Sequence, residues 1–209
     1  MGKVILEAAV SVDGFIADAD DEVGPLFDWY ANGEIDVTMA DPSRVFHVSP
    51  ASATYIESVV GHVRAAVVGR HLFDLTNGWN GVPPAGEHVF VVTHEPPTGW
   101  PFPNAPFTFV TSGVTAAIER ARAVAADGDV SVSAGDVGGQ ALMAGLVDEI
   151  HLNVVPVVFG SGKRFFGTYA AGHMLLEDPR IIPGDRVVHL MYTVRHGGDG
   201  GDRGTVGHG

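Results

Sequence analysis

Short apolar runs recur along the chain at a spacing that sets its architecture. Residues 3–11 form a nearly continuous apolar stretch, too short for an ordinary helix and apolar on both faces, which predicts a strand buried centrally in a sheet. Residues 65–68, 89–93, 107–110, 130–133 and 149–155 repeat the pattern and predict five more strands. Between them lie segments with helical spacing. Residues 54–62 read as a helix, 72–75 as a brief one, and 114–126 as an alanine-rich helix with Glu119, Arg120 and Arg122 on its wetter side. Leu26 to Tyr30 opens a short helix, whereas residues 31–50 show no sustained period and read as loop with room for one strand pair. Two runs at the C-terminus, 173–182 and 186–195, flank Pro183-Gly184-Asp185 and predict a hairpin. Strands that alternate with helices and close in antiparallel pairing predict an α/β fold, a mixed and mostly parallel sheet flanked by helices.

The segment after residue 133 adds chemistry to this frame. A β-rich run enters the small-residue stretch Ala134-Gly135-Asp136-Val137-Gly138-Gly139, read as a turn, and then an apolar-periodic segment that ends at Gly145. The order is strand, glycine turn, helix and strand again. Such a turn lets backbone approach a ligand, and the N–H groups of the following helix favour an anion such as phosphate. The glycine spacing differs from the dinucleotide fingerprint, so a tight structural turn competes with this reading. Gly160-Ser161-Gly162-Lys163 imitates part of a phosphate loop but lacks its spacing, and it reads as a structural turn.

Composition narrows the classes. At 209 residues with 45% apolar content and no Ser-rich or Pro-rich divider, the chain predicts one domain over residues 1–195 and a disordered tail over 196–209. His196 and His208 lie in that tail and read as solvated. The N-terminus lacks the pattern of a secretory signal and no apolar run is long enough to cross a bilayer, which predicts a cytoplasmic protein. Zero cysteines exclude disulfides, thiolate metal sites and a Cys nucleophile. A net charge of −13, with 12 scattered Lys and Arg residues, argues against nucleic-acid binding.

Several motifs then fall in one order. Ser11-Val12-Asp13-Gly14-Phe15-Ile16-Ala17 follows the first strand, Gly69-Arg70-His71 the second, and Thr93-His94 the third; GLVDEI and PVVFGSG come after the glycine turn. In that combination the chain resembles the dihydrofolate reductase superfamily, in the branch of the reductase domain of bacterial riboflavin biosynthesis. The resemblance runs over residues 3–195, although Ser133-Ala134-Gly135 stands where that branch usually has a glycine pair. It implies a three-layer reductase fold and an enzyme that takes hydride from NADPH, with the dinucleotide across the carboxyl ends of the strands. Gly69, Arg70 and His71 would then meet phosphate, Thr93 and His94 the adenosine ribose and its phosphate, and Ala134 to Gln140 the pyrophosphate. Ala9, Ile16 and Ala17 would border the nicotinamide. A homodimer and a small heterocyclic or conjugated substrate are further implications; metal, membrane and nucleic-acid partners are not.

The residues leave alternatives open. Arg70 has Asp74 four positions on and could simply pair with it. His94 could cap a strand. Asp13 most simply organises its turn with Gly14, and Asp148 and Glu149 the turn from helix to strand. Asp28 is the best carboxylate for proton transfer, because the neighbouring aromatics could raise its pKa by desolvation, but it equally suits a solvated helix start. Trp29, Tyr30 and Phe46 suit either a substrate wall or a core. A non-catalytic NADPH-binding module competes with the reductase, as does a flavin or deazaflavin reductase on another fold. The lack of cysteine excludes a zinc deaminase.

Overall fold

The computed structural model of the protein describes residues 2–195. The chain enters through β1 (Val4–Ser11) and β2 (Phe15–Ala17), passes a 3₁₀ helix at Gly24–Tyr30, and makes a small hairpin from β3 (Ile35–Thr38) and β4 (Val45–Val48) before α1 (Pro50–Val59). There follow β5 (Val63–Gly69), α2 (Arg70–Leu75), β6 (His88–Val92), β7 (Phe107–Val110), α3 (Val114–Ala125), β8 (Asp129–Ser133), α4 (Asp136–Met143) and β9 (Glu149–Val155). Short β10 (Lys163–Arg164) and the pair β11 (Arg180–Gly184) and β12 (Val187–Thr193) complete it.

Eight strands form one sheet in the order β11-β12-β9-β1-β8-β5-β6-β7. The six from β9 to β7 run parallel, and β12 and β11 add antiparallel pairings at one edge. The continuous apolar run of β1 follows from its central place. Val4, Leu6 and Val10 enter a core built with α3 and α4, while Ile5 and Ala9 enter a second core beneath α1. Helix α3 lies close on the sheet because Ala117, Ala121 and Ala125 face it, fully or nearly fully buried.

The two faces of the sheet differ in a way that opens the site. The α3/α4 face carries one continuous core. The α1 face carries two, one around Ile5, Trp29, Tyr55 and Met191, the other around Ala66, Val68, Phe73 and Val91. Register places Ser131 between Ile5 and Ala66, and Glu7 beside Ser133, on this same face. Glu7, Ser131 and Ser133 are half-buried, so polar side chains on two central strands separate the apolar clusters.

Several boundaries move from their predicted places. Helix α1 starts at Pro50, four residues before the predicted start, because Ser49 caps it: its Oγ accepts from Ser52 N at 3.3 Å, and proline suits the first turn. The small-residue turn shrinks to Ala134-Gly135, since α4 already begins at Asp136. In the C-terminal pair only Arg180–Gly184 and Val187–Thr193 are strands, with Asp185-Arg186 as the turn. Pro183 pairs with Val188 inside β11, which its lack of an N–H permits because β11 is the sheet's edge. Residues 173–179 contribute only the isolated bridge from Leu176 to Val194. The strand pair in residues 31–50 is present, with Ile35 opposite Val48. The tail expected over 196–209, with its two histidines, lies outside the described residues.

Candidate active site

The carboxyl ends of β1, β8, β5 and β6 lie side by side in the sheet, the place where ligands of open α/β sheets bind. Strand β5 ends at Gly69, the N-cap of α2, and a Cβ there would stand 3.1 Å from Val137 Cγ2. The turn after β5 therefore touches the start of α4. Gly135 caps α4 with φ 93° and ψ −151°, a conformation essentially reserved for glycine. A Cβ at Gly135 would meet Ile16 Cδ1 at 3.6 Å, which brings β2 against the same turn. Gly135 N donates to Phe165 O at 2.7 Å and Phe165 N to Gly14 O at 2.9 Å, so one segment ties both turns together. In the ribbon of β2 and β10, Phe15 and Ala17 have ladder partners and Ile16 does not.

Arg70 joins two of these strand ends. Its Nε donates to both oxygens of Asp74 at 2.7 and 2.9 Å, and its Nη1 donates to Glu95 O at 2.7 Å. The pairing with Asp74 is thus present, but it anchors a guanidinium that also spans to the turn after β6. Thr93 is buried there, its hydroxyl donating to Glu95 O at 2.7 Å. His71 Nε2 lies 3.0 Å from Asp21, which also reaches Lys163 at 3.5 Å, so the charged loop after β2 is held against α2 and β10. His71 and Lys163 accordingly pull the Asp21 carboxyl below its usual range. Asp13 organises its turn as expected: Ser11 Oγ donates to it at 2.6 Å, and Phe159 and Gly160 N donate from the loop after β9.

The other predicted residues divide between core and surface. Gly138 and Gly139 are buried inside α4, where a Cβ would meet Leu6 Cδ1 at 2.4 Å and Phe166 O at 2.3 Å respectively. They are packing glycines. Asp136 is exposed in the first turn of α4, accepts from Thr168 N at 3.0 Å, and places a negative charge on the helix end that was to receive pyrophosphate. His94 and Gln140 are exposed. Ala9 and Ala17 are buried beside the β1–β2 turn. Asp28 is exposed on its 3₁₀ helix, so the apolar enclosure expected of it is missing. Trp29 and Tyr30 stack at 3.9 Å, with Phe46 4.7 Å from Tyr30; Trp29 is core at 1% exposure and Tyr30 is half-buried.

The carboxylate that the sequence reading overlooked is Glu7. It accepts from Ser131 Oγ at 2.9 Å and from Tyr55 Oη at 3.3 Å, in the gap between the two apolar clusters. Burial, and secondarily the charge of Glu7, push the phenols of Tyr55 and Tyr30 above their ordinary range. The signal was a lone charged residue within an otherwise apolar central run.

No protein-family model matches the chain, and no curated protein matches it by sequence. Solved structures do. A putative riboflavin biosynthesis protein from Shewanella sp. PV-4 superimposes over 93% of this chain and 99% of its own, with a TM-score of 0.64 at 19% identity. The chain has the fold of the riboflavin-pathway reductases. A Thermotoga maritima diaminohydroxyphosphoribosylaminopyrimidine deaminase/5-amino-6-(5-phosphoribosylamino)uracil reductase matches over the same 93% with a TM-score of 0.59 at 16% identity, and this chain spans 57% of that protein. A pyrimidine reductase-like protein from Corynebacterium diphtheriae matches over 93% and 92% of the two chains, with a TM-score of 0.57 at 14% identity. The dihydrofolate reductase-like fold read from the motifs is therefore the fold observed. Among the described residues no helix is long and apolar enough to cross a membrane.

Proposed function

We propose that the protein is an NADPH-dependent oxidoreductase that transfers hydride to a small heterocyclic or conjugated C=N or C=O substrate. The observation that carries this reading is the gathering of Gly69, Arg70, Thr93, Ile16 and Gly135 at neighbouring strand ends. The residues fit a dinucleotide in three respects. Gly69 and Gly135 have no side chain to keep a phosphate from the backbone. Arg70 is about one-third exposed, and its Nη2 makes no hydrogen bond to a described residue. Ile16, free of ladder partners, offers backbone groups and an apolar side chain beside Gly135.

Bound NADPH would supply the hydride. Ile16 and Ala9 would orient the ring, Arg70 would hold the phosphate that distinguishes NADPH from NADH, and the aromatic wall at Tyr30 would exclude water from the acceptor. Asp136 limits the seat: a pyrophosphate would have to lie nearer Gly69 and Gly135 than the first turn of α4. Nicotinamide fluorescence, titrated with NADPH and NADH, tests the proposal. Wild type is expected to bind NADPH at least tenfold more tightly, and Arg70→Ala to lose most of that difference, because a charged hydrogen bond contributes about 1.5–3 kcal/mol. Failure of both nucleotides to bind would overturn the cofactor assignment.

A further inference from the structure

We propose that the groove between β3 and α1 docks an extended segment of a partner protein, one that adds to β3 as a third strand and alternates apolar with basic side chains. The proposal is independent of the reductase reading. The groove reaches Val63 and Arg64 at the amino end of β5 and Glu87 just before β6, the opposite end of the strands from the cofactor segments.

The groove has a volume of about 540 Å³, and its two long walls differ in kind. One wall is residues 35–40, which include the whole of β3. Successive residues of a strand face opposite sides, so a wall that takes all four runs along the strand's edge, where backbone is on offer. That edge is open. Among the described residues β3 pairs only with β4, from Ile35 opposite Val48 to Thr38 opposite Val45. In such a pair about half of each strand's N–H and C=O groups turn away from the neighbour, and those of β3 border the groove. The facing wall is Ala53, Ile56, Glu57 and Val60, a stripe at helical spacing along α1 and the turn after it. Backbone pairing on one side and a side-chain wall on the other is the arrangement by which sheets take up an extended peptide.

The lining prescribes the pattern of that peptide. Ile56 is buried, and Val37, Ala53 and Val60 pack half-buried against the same core. Every second residue of an added strand would meet this apolar side. The residues between would stand on the side of Asp36, whose carboxylate is exposed, as are those of Glu57 and Glu87. Against these three the lining offers one cation, Arg64, and it is engaged: its Nη1 donates to Gly61 O at 3.1 Å and Val63 O at 3.3 Å, and its Nε lies 3.9 Å from Glu87. His47 Nδ1 lies 2.6 Å from Asp36 and offsets part of that charge. The rim remains acidic, in a chain of net charge −13, so it draws in lysine and arginine and repels an acidic segment. Residues 196–209 of this chain do not supply the pattern, since Val206 is their one large apolar residue.

Three capped, fluorescently labelled hexapeptides test this by anisotropy against the full chain: lysine alternating with valine, the same residues in two blocks, and the alternating peptide with every backbone N–H methylated. All three carry equal charge. The alternating peptide should bind best, the block peptide at least fivefold more weakly and the methylated one at least tenfold. Hydrogen exchange should show the bound peptide protecting residues 35–40 and 53–61. Asp36→Lys combined with Glu57→Lys should weaken the alternating peptide at least fivefold and leave NADPH affinity within twofold. The proposal is overturned if the alternating peptide does not bind, if either comparison peptide binds as well, if the charge-reversed variant binds unchanged, or if protection falls elsewhere. Protection of residues 35–40 that grows with protein concentration alone would place a second copy in the groove and overturn it too. Should the variant fail to fold, the wild-type ranking of the peptides still decides.

Discussion

Gly139→Val is expected to lower the midpoint of thermal unfolding by about 6–12 °C. Gly139 is buried within α4, and a Cβ there would lie 2.3 Å from Phe166 O and 3.2 Å from Phe166 C. Both are backbone atoms, so no side-chain rotation can relieve the clash. Either α4 or the segment after β10 must move, and that segment supplies Phe165 O to the Gly135 turn. Overpacking of this kind costs about 3 kcal/mol at the upper end of its usual range, and each kcal/mol shifts the midpoint by about 2–4 °C in a chain of this size. Gly61→Ala is the control, because nothing lies within 4 Å of its would-be Cβ; it should change stability by less than about 0.5 kcal/mol. Circular dichroism melts of the two variants check the pair, and an unshifted Gly139→Val would contradict the packing described for α4.

Acid should destabilise the protein well before its carboxylates titrate, through His189. This imidazole is fully buried, stacked on Tyr55 at 4.1 Å and edge-on to Trp29 at 5.1 Å. A relay of hydrogen bonds fixes its neutral form: Ser49 Oγ donates to Ser52 Oγ, Ser52 Oγ to His189 Nε2 at 3.0 Å, and His189 Nδ1 to Asn153 Oδ1 at 2.7 Å. Burial lowers its pKa from 6.5 to about 4. Between those values the unfolded chain binds the extra proton and the folded chain does not. The contribution is therefore complete above about pH 6.5 and is lost as pH falls towards 4, a change on the order of 3 kcal/mol. Glu149 extends the decline further. His151 first, then Lys3, holds its carboxyl down to about 2, so its stabilisation disappears below the usual carboxylate range. Urea unfolding at pH 7 and pH 4.5 measures the first step. His189→Gln should be less stable at pH 7 and show a flatter profile; an equally steep profile would contradict the assignment.

What the sequence revealed, and what it concealed, divides along the range of the contacts. Strands β1 and β9 were readable because burial on both faces leaves an unbroken apolar run, a local signature. The turn at Gly135 was readable from its small residues. The roles of Gly138 and Gly139 were not, since a glycine required by a distant carbonyl looks like a glycine required by a turn until Phe166 is in place. Ser49-Pro50 was a legible helix start that the loop-like composition of residues 31–50 obscured. Pro183 counted as a turn residue because nothing local marks β11 as an edge strand. Glu7 was missed for the same reason of distance. Its partners Tyr55 and Ser131 are 48 and 124 residues away, so a glutamate in an apolar run acquires its meaning only after the sheet has formed.

Hydrogen exchange with and without saturating NADPH, read peptide by peptide, tests the central claim most directly. The dinucleotide should protect residues 14–17, 69–72, 93–95 and 133–137. It should leave unchanged the surface groove between β3 and the start of β5, lined by Met39, Val60, Arg64 and Glu87. Protection confined to that groove, or absent from all four strand-end segments at a concentration where NADPH is bound, would contradict the account of a cofactor site at the carboxyl ends of β1, β5, β6 and β8.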